Sequence, residues 1–455
     1  MTKDSEKSHI KKYWVFYLFI LLEAVLIILY SQFTHFGSDD GPRFGPSDAE
    51  VDAHVQQKYP LFADINVMIF VGFGLLLTVA KGFGWSAVGI NFFLAAWTIQ
   101  WSILCLGFWR AAFTDTWWER IHLSITEFIE AEYNAWSVII AFGAVYGRLN
   151  FAQYLIMATF QTFFWALSWR ITGLSFLAKD LGGSMNVHAF GAFYGLTISA
   201  IAGRREAEKK TTYNSNLFAI IGTLFLWVYF PSFNSGLTQG TGHLRAIINT
   251  ILALTGSCVM TVLFTPFLKN GKLHFEYLLN ATLAGGVLIA SSADLIIFPW
   301  LSFFLGCCAG VISVLGYHVI VPFFNKTLKI RDSAGVFSLH GLTGVIGGLV
   351  SAAIAGSVDL VNYGDSLYSL LPALGAGRGR NIQGGYQLAT VALVIGLPIV
   401  VGIVVGFLLK CFSDLNTPFD DEEFWAVSHD EVAEYKKTDV IQHQLVEIKP
   451  TEAHI

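Results

Sequence analysis

Charge is scarce in this chain. Only 13% of its 455 residues are Asp, Glu, Lys or Arg, about half the quarter usual in soluble domains. With 54% of residues hydrophobic, a soluble protein of this length could not cover its surface. Basic clusters are missing too. The net charge is −5 and no basic patch of any length occurs, which excludes nucleic-acid binding. Cysteine is sparse as well: Cys105, Cys258, Cys307, Cys308 and Cys411 all lie inside or at the edge of apolar runs. They read as small hydrophobes, which excludes a disulfide scaffold. What is abundant is apolar and aromatic, with 15% Phe, Trp and Tyr and a mean hydropathy of +0.56. The chain is a polytopic membrane protein.

A membrane span needs about 20 mostly apolar residues. Such runs lie near 13–31, 60–80, 85–108, 122–147, 151–172, 183–203, 215–235, 244–268, 277–295, 298–323, 335–357 and 385–411. The expectation is an all-α fold of twelve transmembrane helices. Residues 1–12 form an N-terminal segment, 13–31 a first helix, 32–59 an external loop, 60–412 an eleven-helix core and 413–455 a polar, partly disordered tail. The start of that tail, LNTPFDDEEFW, is expected to pack against the membrane domain. Lys and Arg orient the spans. With Lys3, Lys7, Lys11 and Lys12 in the cytoplasm, alternation puts Lys81, Arg148, Arg204, Arg205, Lys209, Lys210, Lys269, Lys272, Lys326, Lys329, Arg331 and Lys410 on the same side. Both termini are therefore expected to be cytoplasmic.

Ionisable groups inside a bilayer are expensive and point to function. Most of the twelve histidines sit in polar termini, in the external loop or near span ends. His188 and His340 do not. Asp180 and Asp332 each stand eight residues before their histidine, Gly183 and Gly335 each five before, and a GxxxG follows each, Gly191 to Gly195 and Gly344 to Gly348. The pair lies five spans apart. Two five-span halves follow, the second entering the membrane inverted, a plan many transport proteins share. Eight residues of helix rise about 12 Å, so each histidine lies near the middle of a hydrocarbon core about 30 Å thick. The GxxxG stretches should let the two histidine helices approach closely.

The residues narrow the chemistry without fixing it. A metal usually takes roughly three or four protein ligands, and no Cys, Asp or Glu is placed at midplane to complete a set. Nucleophilic catalysis would need a Ser or Cys with an oriented base, and no GxSxG is present. Neither metal, cofactor nor enzyme activity is expected. A proton relay and passage of a small polar solute both remain, because imidazole donates with one nitrogen and accepts with the other.

At these motifs the sequence resembles the ammonium transporter/Rhesus glycoprotein superfamily, and its Rhesus branch in particular. The likeness rests on GWSAVGINFFLAAWTIQW (84–101), AFGAVYG (141–147), GGSMNVHAFGAFYGLT (182–197), LFAIIGTLFLWVYFPSFNS (217–235), NATLAGG (280–286) and LHGLTGVIGG (339–348). The resemblance implies a homotrimer with one narrow pore through each subunit, set in the lipid bilayer of the plasma membrane. It also implies that ammonium is met outside, deprotonated and passed as ammonia, with CO2 or methylamine as further solutes. By motif, His188 and His340 match the paired pore histidines, Asp180 and Asp332 the acidic residues that start the two histidine helices, for recruitment or helix capping, and Phe233 one of two stacked gate rings. The other gate position falls at Tyr133, where a phenol replaces a plain ring, so that its hydroxyl is expected to make the gate more polar or to stand near the entering solute. Phe230 stands where the ammonium-transporter branch carries Trp, and Leu237 where it carries a recruiting Ser. Asp294 recurs as an acidic residue in Rhesus relatives and reads as structural. Two other readings stay open: an electrogenic ammonium or proton-coupled transporter, and a non-conducting scaffold, against which the presence of both histidines argues. A cytosolic partner for the tail is also expected.

Overall fold

The computed structural model describes residues 3–36, 48–80, 82–202, 211–238, 240–412, 421, 425 and 426. Of the expectations above, Lys81, Arg204, Arg205, Lys209, Lys210 and most of the tail lie outside these residues. The principal helices are α1 (Lys3–Phe33), α2 (Asp48–Val67), α3 (Gly84–Thr114), α4 (Ile125–Val145), α5 (Phe151–Arg170), α6 (Phe190–Ile201), α7 (Tyr213–Ser235), α8 (Thr241–Leu268), α9 (Ala284–Ile289), α10 (Pro299–Leu315), α11 (Leu342–Ser357) and α12 (Arg380–Lys410). Their starts are chemically marked. Ser124 caps α4 by accepting from Thr126 N at 3.2 Å. Asn150 with Gln153, and Thr212 with Ser215, form reciprocal capping boxes at α5 and α7. Each satisfies donors that a helix start leaves without an intrahelical partner.

Among the described residues, eight helical segments are long and apolar enough to cross a membrane: Tyr13–Phe33, Val51–Val79, Gly84–Thr114, Tyr213–Ser235, Gly242–Leu268, Pro299–Leu328, Phe337–Ser357 and Arg380–Lys410. The protein is an integral membrane protein of polytopic, helical build. The other runs marked in the sequence are helical as well, as α4, α5, α6 and the broken stretch through α9. From Ala131 to Val145 every residue of α4 is buried. The helix is wrapped by α3, α6 and α2, so its hydroxyls, amides and Glu132 lie inside protein rather than in lipid.

Two expectations need correction. Residues 32–59 are not all loop, because α2 begins at Asp48, well before the apolar run at residue 60. Hydropathy marks the part of a helix that lies in hydrocarbon, while backbone hydrogen bonding carries the helix on beyond it. The start of the run at 122–147 is the second. Thr34–Phe36 pairs in parallel with Ile121–Leu123, so the run placed at 122–147 starts as a strand and turns helical at Ile125.

Part of the tail docks at the start of α3. Asp421 accepts from Trp85 N at 3.1 Å and Ser86 N at 2.7 Å. Trp425 Nε1 donates to Ser86 Oγ at 2.9 Å. A carboxylate on exposed helix-start amides complements the helix dipole.

Candidate functional site

The two Asp-Gly-His segments fold into the same local shape. Gly183 and Gly335 take φ of +72° and +74°, a left-handed conformation that glycine adopts without steric penalty. A π-helical turn follows each, Ser184–Ala189 and Phe337–Gly341, and each turn carries its histidine. Such turns are rare and concentrate at functional sites. The aspartates hold these turns. Asp180 accepts from Met185 N at 3.2 Å and Asn186 N at 2.7 Å. Asp332 accepts from Val336 N at 2.9 Å and Phe337 N at 2.8 Å. Asp180 also accepts from Asn186 Nδ2 at 3.0 Å and from Ser291 Oγ. Both carboxylates are bonded to the backbone that carries the rings.

The histidines meet. His188 Nδ1 lies 3.0 Å from His340 Nδ1. The rings are nearly parallel, 6° apart, with centroids 5.1 Å apart, which places them edge to edge. His188 is fully buried and His340 nearly so. Around them stand aromatic faces: Trp136 at 5.9 Å, Phe233 at 6.0 Å and Phe230 at 6.1 Å from His188, and Phe73 at 6.2 Å from His340. Only one of the two Nδ1 atoms can hold the proton of that shared bond, so a neutral pair has one ring donating and the other accepting through Nδ1. The accepting ring then carries its proton on Nε2, and the donating ring has a bare Nε2. His188 Nε2 is buried and meets no hydrogen-bond partner among the described residues.

One step from the pair lies the Tyr133–Phe233 contact, with centroids 4.4 Å apart and planes at 31°. Trp136 also packs on Phe233, at 4.2 Å. The phenol hydroxyl donates to the carbonyl of Phe233. It is spent on backbone and does not stand free toward a solute. Tyr133→Phe should therefore keep the ring contact and lower stability by about 1 kcal/mol, the usual net worth of one hydrogen bond. Thermal unfolding in detergent measures this, and a loss of folding would contradict it.

Asp294 stands apart from the rings. Its fully buried carboxylate pairs with Lys179 Nζ at 2.7 Å and accepts from Thr238 Oγ1 at 3.4 Å. Lys179 is the residue before Asp180, so this pair anchors the approach to the first turn. The GxxxG expectation needs correction for the first pair. A Cβ on Gly191 or Gly195 would come within 2.4 Å of Ser137 O or 2.6 Å of Ala141 Cα, so that pair packs on α4. Gly344 and Gly348 both meet the other histidine segment, where a Cβ would lie 2.4 Å from Ser184 O and 2.8 Å from Met185 Cγ. Small residues announce a close approach without naming the neighbour.

Sequence reasoning missed Trp136 and Phe73. Trp136 follows Tyr133 by three residues, one helical turn along the same face, and that spacing could have found it. Phe73 carries no such signal.

A buried imidazole pair within aromatic walls thus lies inside a polytopic helical membrane protein. The description of the ammonium transporter family matches residues 43–438 of this chain. "Ammonium transporter Rh type B" of Danio rerio is 35% identical over 446 residues, covering 94% of this chain and 96% of the relative. "Ammonium transporter Rh type C" of Bos taurus is 36% identical over 456 residues, covering 95% and 96%. Among solved structures, Rh50 of Nitrosomonas europaea superposes with a TM-score of 0.71 at 28% identity, covering 88% of this chain and 99% of that one. A sensor Amt protein shares the fold, at a TM-score of 0.60 and 20% identity over 80% of this chain and 94% of its own. The chain belongs to the ammonium transporter family, on its Rhesus branch, and the family is one of transporters.

Proposed function

We propose that this protein is a channel for ammonia, in which ammonium is met outside the Tyr133–Phe233 gate, gives up its proton to water there and crosses as NH3 past His188 and His340. The observation that carries this reading is the buried 3.0 Å contact between the two imidazoles within aromatic walls. Moving an ion into such surroundings is far costlier than moving a neutral solute. The aromatic faces can attract the cation before it sheds its proton. Ammonia both donates and accepts hydrogen bonds, and a neutral imidazole pair offers it one Nε2 of each kind. In this reading Asp180 and Asp332 hold the histidine turns and Asp294 anchors the first of them. None is the proton acceptor.

The same reading takes the chain across the membrane twelve times, in two inverted five-span halves behind an extra first helix. Both termini are placed in the cytoplasm of a plasma-membrane protein, with the tail open to a cytosolic partner. Three chains would assemble with one pore each, using apolar faces such as Leu263 and Phe267 of α8, which are 60% and 82% exposed in the single chain.

The test is stopped-flow ammonia uptake by proteoliposomes alongside current recorded under voltage clamp. Fast uptake without an ammonium-carried current is expected. A current that scales with ammonium would replace this reading with electrogenic transport.

A further inference from the structure

Lys58 is 2% exposed, an unusual state for a lysine. Its Nζ donates to the carbonyl of Gly236 at 3.2 Å. Gly236 is the C-cap of α7, the helix whose last turn carries Phe233, and its own N–H donates to Phe233 O. A Cβ built on Gly236 would lie 3.4 Å from Tyr133 Oη. The lysine head therefore sits one residue's width from the Tyr133–Phe233 contact. It complements the carbonyl end of α7, but a neutral amide donor could satisfy that carbonyl equally well. What the lysine adds is a fixed positive charge in surroundings where screening by water is weak.

Other charged groups face the same turn. Asp64, on α2 with Lys58, accepts from Ser232 Oγ at 2.5 Å. It is only partly buried, so its field reaches solvent. His243 lies within Coulombic reach of Lys58. An approaching cation meets a buried charge of its own sign at the outer end of α7, before the Ser232–Asp64 contact one turn further in. A neutral solute feels neither strongly.

We propose that Lys58 is a charge filter at the gate: an ammonium head held against the end of α7 that turns back ammonium and methylammonium cations while leaving neutral ammonia unopposed. This rests on the ammonia-channel reading above.

The experiment compares wild type, Lys58→Gln and Lys58→Arg in proteoliposomes and planar bilayers. Gln keeps a donor for Gly236 O and removes the charge, whereas Arg keeps both. Current driven by an ammonium gradient is recorded at acidic pH, where the cation dominates, and ammonia uptake is followed by stopped flow. Lys58→Gln should gain an ammonium-carried current at least tenfold above the wild-type background, with ammonia uptake within twofold of wild type. Lys58→Arg should stay silent. A silent Lys58→Gln with normal uptake overturns the filter and leaves Lys58 as a helix cap. Equal currents in Gln and Arg variants overturn it as well, because the charge would then be irrelevant. A wild-type current that already accounts for uptake sinks the ammonia-channel reading itself, a separate result. Should Lys58→Gln fail to reach the membrane, Lys58→Met removes the same charge: a gained current supports the filter and a silent variant overturns it.

Discussion

Proteoliposomes carrying His188→Leu are expected to take up ammonia at least tenfold more slowly than those carrying the unchanged protein, with His340→Leu close behind. In water a small amine is fully hydrogen-bonded. In the proposed channel, inside the aromatic sleeve formed by Trp136, Phe230, Phe233 and Phe73, the imidazoles would replace those bonds. Each net hydrogen bond is worth about 1 kcal/mol, and an unmet buried polar group costs about 1–3 kcal/mol. A barrier raised by about 1.4 kcal/mol already slows passage about tenfold. Removing either ring also strips the other of its Nδ1 partner, so the two variants should hit flux alike. The double variant should do little more than either alone, since groups acting as a unit are not additive. Leu keeps the volume filled, so folding should survive, and size-exclusion profiles check that. Uptake at the wild-type rate in both single variants, with normal expression, would return the pair to a packing role.

How far this site could be read in advance depends on whether a residue's chemistry is fixed by its backbone. Asp180, Gly183 and His188 recur as Asp332, Gly335 and His340 because one local structure needs them at those offsets. A left-handed residue opens the turn, a carboxylate takes the amides four to six positions on, and the π turn presents the ring. That pattern is legible because it is local. The aromatic sleeve is not. With 39 Phe and 13 Trp in the chain, no spacing rule singles out Phe73, which reaches His340 only through the packing of distant segments. The partner of Gly191 and Gly195 was hidden for the same reason. The apolar runs located the helices and missed the start of α2, because composition responds to lipid whereas helix ends are set by hydrogen bonding. The pairing of the Tyr133 ring with Phe233 was visible through resemblance. Its hydroxyl's commitment to the Phe233 carbonyl was not, since that bond joins residues a hundred positions apart.

The two turn-holding aspartates should not be equally sensitive. Asp180 accepts four hydrogen bonds, from Met185 N, Asn186 N, Asn186 Nδ2 and Ser291 Oγ. Asp332 accepts from Val336 N and Phe337 N. Asp180→Ala leaves more buried donors unmet, each worth about 1–3 kcal/mol without simple additivity. A loss of about 4 kcal/mol is expected there, against about 2 kcal/mol for Asp332→Ala. Asn186 cannot turn its amide to compensate, because Ser168 Oγ donates to its Oδ1 at 2.7 Å while its Nδ2 is also held by Thr172 Oγ1 at 3.2 Å. In Asp180→Asn the one remaining oxygen can replace either the oxygen that accepts from Met185 N and Ser291 Oγ or the one that accepts from Asn186 N and Asn186 Nδ2. Its own NH2 then faces the other pair of donors, so part of the loss should return and part should stay. The expected order of thermal stability in detergent is wild type, Asp332→Ala, then Asp180→Ala, with Asp180→Asn above its alanine counterpart. Ammonia uptake should follow the same order, because the turn that Asp180 secures is the one that sets His188 against His340. Asp332→Ala proving the more damaging of the two, or Asp180→Ala matching wild type in both stability and uptake, would show that the backbone turns hold without their carboxylates.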